Sequence, residues 1–103
     1  MAIIEVSIIP VGTEGTGLSS YIAHAIKVLS QRAERDGLKF QVGAMGTVIE
    51  GDIDIAIAAI REMQEALFKL GCKRLISRIE IDDRRDKLQT AEDKVRAVEE
   101  KLK

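Results

Sequence analysis

An α+β fold, with two helices on one face of a four-stranded antiparallel sheet, is predicted by three observations. Residues 2–10, 38–42, 47–50 and 72–82 are short runs rich in β-branched residues, the pattern of strands. Two longer stretches, starting at Leu18 and Ile53, repeat apolar residues at three- and four-residue steps, the period of a helix. These elements follow one another as β-α-β-β-α-β, and a charged helical stretch closes the chain.

The first strand, AIIEVSIIP, stops at Pro10. Its alternation sets Ile4, Val6 and Ile8 towards the helices and Ile3, Glu5, Ser7 and Ile9 on the opposite face. Leu18, Tyr21, Ile22, Ala25, Ile26 and Leu29 then form one apolar stripe on a helix that ends at Asp36-Gly37. Leu38–Val42 and Thr47–Glu50 read as a hairpin turning through Gly43 and Gly46. Asp52 is a good N-cap for the second helix, Ile53–Leu70, which stops at Gly71.

In the last strand Leu75, Ser77, Ile79 and Ile81 alternate with Arg74, Ile76, Arg78 and Glu80. A final helix from about Lys87 carries Leu88, Ala91, Val95, Val98 and Leu102 on one stripe. This order is the ferredoxin-like split βαβ arrangement, expected as a single domain over residues 1–103. One sheet face is left bare, and Ile3 and Ile9 would give it exposed apolar area. A homo-oligomer built through that open sheet face is expected, with Glu5 and Arg78 as a cross-strand ion pair.

At 103 residues, with 46% hydrophobic residues and a net charge of −1, the chain suits one compact core. A near-neutral balance and only three aromatic residues argue against nucleic-acid binding, which draws its affinity from phosphate neutralisation. The opening run breaks at Glu5 and lacks a basic leader, so neither a signal peptide nor a membrane span is expected, and the location is read as cytoplasmic. Cys72 is the single cysteine, read as a small apolar residue at a strand start.

The fold places the loop Pro10–Gly17 and the hairpin turn Gly43–Gly46 at one end of the sheet, with Gly71-Cys72 at the same rim. The first helix starts there too, and its free N–H groups suit an anion or the polar edge of a heterocycle. Thr13, Thr16, Ser19, Ser20 and Thr47 supply hydroxyls, and Met45 a soft apolar wall. The plainer alternative is that Thr16 or Ser19 only caps the helix while the glycines only turn.

No catalytic, metal or cofactor site stands out. His24, the single histidine, reads as a half-exposed or interface residue, and no cluster has metal-ligand spacing. Ser19, Ser20 and Cys72 lack an adjacent base. A small enzyme using His24 or Glu50 as acid/base, or a purely structural interaction module, are the rival readings. In Asp82–Asp86 the interleaved arginines argue against a cation site, leaving a cap for the last helix and interface salt bridges.

Three ordered motifs carry a resemblance: IIPVGT leading into LSSYIA, then GAMGTVIEG, then GCKRLISRIEIDDRRDK. With them the chain resembles the thiamine-binding-protein-like domains related to YkoF, over nearly its whole length. The resemblance implies a ferredoxin-like fold, sheet-mediated dimers that pair into tetramers, and non-catalytic binding of thiamine or its hydroxymethylpyrimidine part. On the matching motifs, Gly12, Thr13, Ser19 and Ser20 would line the pocket from one side and Met45, Gly46 and Thr47 from the other. The chain departs from the family pattern at Gln64, where many relatives carry a histidine.

Overall fold

The computed structural model describes all residues, Met1–Lys103. Its elements are β1 (Ala2–Pro10), α1 (Ser19–Asp36), β2 (Lys39–Val42), β3 (Thr47–Gly51), α2 (Ile53–Lys69), β4 (Leu75–Asp82) and α3 (Ala91–Lys101). The strands form one sheet in the order β2-β3-β1-β4, and every neighbouring pair is antiparallel. This is the ferredoxin-like arrangement with an added C-terminal helix. Both central strands, β1 and β3, sit beneath the helix pair, and the core lies in that layer.

Alternation in β1 works as its sequence requires: Ile4, Val6 and Ile8 are buried, while Glu5 and Ile9 are exposed. They meet Ala25, Leu29 and Ala33 of α1, Ile49 of β3, and Ala56, Ala59, Ile60, Met63 and Leu67 of α2. Each fully buried Ile or Leu contributes about 1.5–3 kcal/mol, so these side chains dominate the stability. On the outer side, Arg32 of α1 reaches Glu62 of α2 at 2.6 Å and also pairs with Asp36, tying the two helices together.

The helix ends differ in kind. Asp52 caps α2 by accepting from the N–H groups of Asp54 and Ile55 at 2.9 and 3.1 Å. Gly37 ends α1 at φ 76°, where its N–H donates to the Ala33 carbonyl. At its start α1 has no side-chain cap: the N-cap position falls on Leu18, so neither Thr16 nor Ser19 takes the capping role that the sequence suggests. The first-turn N–H groups are left without a side-chain acceptor at that rim.

Further expectations need correction. Glu5 and Arg78 do not pair, because the register sets Glu80 opposite Glu5 and Arg78 opposite Ser7. The last helix starts at Ala91 rather than Lys87, and its cap is a reciprocal box between Thr90 and Asp93, not the Asp82–Asp86 segment. Nor is the far sheet face wholly bare. The Ala91 N–H donates to Glu50 Oε1, and Lys94 Nζ lies 2.6 Å from Asp82, so α3 starts over one end of that face. No residue of α3 is buried, and Val95 and Val98 stay exposed. Cys72 is half-buried and precedes β4 by three residues, so it lies outside the strand.

Candidate functional site

β1 outruns its partner at one end of the sheet. Val6↔Thr47 is the last pair joining β1 to β3, whereas the pairing with β4 continues to Pro10↔Leu75. Ser7–Pro10 therefore have no strand on the β3 side, and the β2–β3 hairpin turns away from them after Gly43 donates to the Gly46 carbonyl at 2.8 Å. A cavity of about 250 Å³ opens in the gap between the sheet and α1.

Its walls follow from the apolar stripe of α1. Leu18, Ile22, Ala25 and Ile26 of this stripe all border the cavity, and Ala25 is the one of them that is buried in the core as well. Val6 and Ile8 form the floor, with Met63 of α2 behind and Val42 beside the hairpin. Among this lining Thr47 stands apart. It is the single buried polar residue, 6% exposed, and its hydroxyl enters none of the side-chain hydrogen bonds within the protein. Thr47 is buried as a residue, yet its hydroxyl is not among the fully enclosed unpartnered atoms, so it keeps access to the cavity and is free to bond what enters it.

Of the seven expected site residues, the structure brings Met45, Gly46 and Thr47 to this cavity. Space at Gly46 is tight: an added Cβ would lie 3.1 Å from the Val6 carbonyl oxygen and 3.3 Å from the Glu5 side chain, so these would have to give by a few tenths of an ångström. Met45 stands at the hairpin tip, 89% exposed, at the mouth of the cavity. Gly12, Thr13, Ser19 and Ser20 do not line it. The loop after β1 swings outwards, held by a 2.9 Å bond from the Val11 N–H to the Arg74 carbonyl, and Gly12 has open space around it. Ser19 instead borders a shallow outer groove between α1 and β2.

The aliphatic wall was missed as a binding surface because its residues share the period of the core. The signal that separates them is position: Leu18 and Ile22 extend past the last residue of β3 that could cover them.

The rival residues lie elsewhere. His24 is half-buried in an outer groove between α1 and α2, beside Arg61, Glu65 and Lys69. Glu50 is at the opposite end of β3 and is engaged by the start of α3. No three His, Cys, Asp or Glu side chains converge as metal ligands, and no helix is long and apolar enough to cross a membrane. In a larger hollow of about 480 Å³ beside Asp82–Arg85, four of the lining charges are already paired: Asp82 with Lys94, Asp83 with Arg85, and Arg84 with Asp86. Arg84 holds Asp86 down at about 2, and Arg85 keeps Asp83 below the usual carboxylate range. Gln64, on α2, donates to Ser77 Oγ of β4 at 2.8 Å and so acts as a strut between helix and sheet edge.

Comparison with known proteins agrees with this architecture. The protein YqgV of Bacillus subtilis (strain 168), of the group UPF0045, is 41% identical over 102 residues, covering 99% of this chain and 98% of its own length. The crystal structure of a Methanocaldococcus protein, MJ1052, superposes with a TM-score of 0.83 at 38% identity, covering 96% of both chains. A Thermotoga maritima protein, described as a candidate thiamine biosynthesis/salvage protein, superposes with a TM-score of 0.77 at 25% identity, over 94% of this chain and 97% of its own. The profile of the family described as thiamine-binding protein matches residues 4–99. With nearly its full length matched, the chain belongs to the thiamine-binding protein family.

Proposed function

We propose that this is a non-catalytic, cytoplasmic binding protein whose ligand is thiamine or its hydroxymethylpyrimidine part, with the pyrimidine ring seated in the cavity under α1. The observation that carries this reading is a hollow of about 250 Å³ walled mostly by aliphatic side chains, with the Thr47 hydroxyl free of side-chain partners on its wall. A dry cavity of about 150 Å³ holds benzene, while pockets for drug-sized ligands begin near 300 Å³. The hollow therefore suits one substituted ring, and the rest of a larger ligand would pass out by Met45.

Complementarity is of two kinds. Ile22, Ile26, Val6 and Met63 offer flat aliphatic contact to a ring face. Thr47 and the free backbone edge of Ser7–Ile9 offer a donor and acceptors to the ring's amino group and nitrogens. The uncapped first turn of α1 adds N–H donors near the mouth. Under this reading Gly12, Thr13, Ser19 and Ser20 contact the part of the ligand that protrudes, and not the ring.

Isothermal titration calorimetry with thiamine and with hydroxymethylpyrimidine tests the assignment. Saturable heat for either compound, with one site per chain, is expected; no heat and no thermal shift at millimolar ligand would exclude both.

Assembly through the open sheet face, as a dimer of dimers, completes the proposal. Ile9 and Ile76 stand opposite each other on that face and are exposed. Sedimentation equilibrium at micromolar concentration is expected to show an oligomer, and a pure monomer would overturn it.

A further inference from the structure

We propose that the backbone N–H and C=O of Ile8 are the specificity-determining pair of the cavity, reading the edge of an uncharged ring that carries an amino group beside a ring nitrogen. The assignment rests on the proposed seat of the ligand and narrows what that seat accepts.

In an antiparallel ladder, successive residues turn their N–H and C=O groups to opposite neighbours. The Val11 N–H donates to the Arg74 carbonyl, which continues the β1–β4 register one residue beyond Pro10↔Leu75. Ser7 and Ile9, two and four residues before Val11, therefore bond to β4 as well. Val6 and Ile8 turn the other way, to β3, and that pairing ends at Val6↔Thr47. Carried two residues further, the register would set Met45 against Ile8. Instead Gly43 bonds Gly46, and Met45 is carried out to the exposed hairpin tip. No turn or loop peptide bonds the Ile8 backbone in its stead. Pro10, the next residue facing the same way, has no N–H, so Ile8 alone presents a donor beside an acceptor.

Ile8 is 8% exposed and borders the cavity, so what these two groups can reach is what enters there. Buried backbone N–H and C=O groups are nearly always bonded, which makes the pair a recognition element rather than a neutral wall. A partner residue in a strand would exchange two bonds with it. The edge of an aminopyrimidine offers the same two: its ring nitrogen accepts from the N–H, and the adjacent amino group donates to the C=O. None of the side chains lining the cavity is ionisable. A charge brought inside would lose its water and gain no counter-ion, so the neutral form of the ring is the one accepted. A ring with methyl in place of the amino group leaves the Ile8 carbonyl unmatched.

Amide exchange, a backbone ester and a ligand analogue test this in the full-length chain. Without ligand, the Ile8 N–H should exchange with deuterium about tenfold faster than those of Ser7 and Ile9, and saturating hydroxymethylpyrimidine should slow it about tenfold. Placing the α-hydroxy acid analogue of isoleucine at position 8 removes that N–H, and affinity for hydroxymethylpyrimidine should fall about tenfold. The analogue with methyl in place of the amino group should bind the native chain about tenfold more weakly. Hydroxymethylpyrimidine that binds without slowing Ile8 exchange would overturn the assignment and leave the proposed function standing. So would equal binding by the ester chain or by the methyl analogue. No saturable heat for hydroxymethylpyrimidine or thiamine would overturn both. Should the ester chain not fold, exchange and the analogue decide.

Discussion

Thr47 pairs with Val6 in the last rung between β3 and β1, and there its side chain turns inwards as the one buried polar residue of the chain. Its position makes a prediction with a distinctive sign. Thr47→Val keeps shape and removes an unbonded hydroxyl, so stability should hold or rise by up to about 1 kcal/mol. Affinity for thiamine or hydroxymethylpyrimidine should fall about tenfold, the loss of one hydrogen bond of about 1.4 kcal/mol. Thermal unfolding and calorimetry measure the two effects separately; a destabilised variant with unchanged affinity would make the hydroxyl structural.

The hairpin glycines should not be equivalent to those of the loop after β1. At Gly43 an added Cβ would sit 2.9 Å from the Gly46 oxygen that accepts its own N–H, so Gly43→Ala should cost about 1–3 kcal/mol and displace the cavity wall. At Gly12, φ is 83° but nothing lies within 4 Å, so Gly12→Ala should cost only the left-handed backbone term, about 1–2 kcal/mol. Binding should drop with Gly43→Ala and persist with Gly12→Ala, as titrations of the folded variants would show.

The two long helices give a matched pair of cap tests. Asp52→Ala removes an acceptor used by two N–H groups and should cost about 0.5–2 kcal/mol by denaturant melts. Ser19→Ala touches no cap and should stay within about 0.5 kcal/mol of the wild type.

The Arg84–Asp86 pair should show in a titration. Hydrogen bonding to Arg84 lowers the Asp86 carboxyl from 3.8 to about 2 in the folded chain. A lowered folded value means that the interaction favours folding above the unfolded pKa and is lost as pH falls through about 2. Carboxyl-carbon NMR should find Asp86 titrating near 2, and Arg84→Gln should raise it towards the ordinary carboxylate value of 3.8. The pair is fully solvated, so global stability should barely respond.

Much of the fold was legible because burial and period coincide. Ile4, Val6 and Ile8 alternate as a one-sided strand must, and Leu29, Ile60 and Leu67 repeat as helix stripes must. The site was legible only on the hairpin side. Gly46 and Thr47 stand out in the sequence as breaks in an apolar run, whereas Leu18 and Ile22 look like any other core residues. What exposes them is the length difference between β1 and β3, which depends on where the hairpin turns and not on composition. The missing cap on α1 was hidden for a similar reason. Thr16, Ser19 and Ser20 are all suitable cap residues, yet the helix boundary falls on Leu18.

In the proposed function the ligand sits in the cavity between α1, the end of β1 and the hairpin. Two-dimensional amide NMR of the full chain during titration with thiamine tests it most directly. Saturable shifts confined to residues 6–9, 18–26 and 42–47, needing about tenfold more ligand in Thr47→Val, are expected. Shifts centred on the groove at His24 or on the segment Asp82–Asp86, with residues 42–47 unmoved, would contradict it.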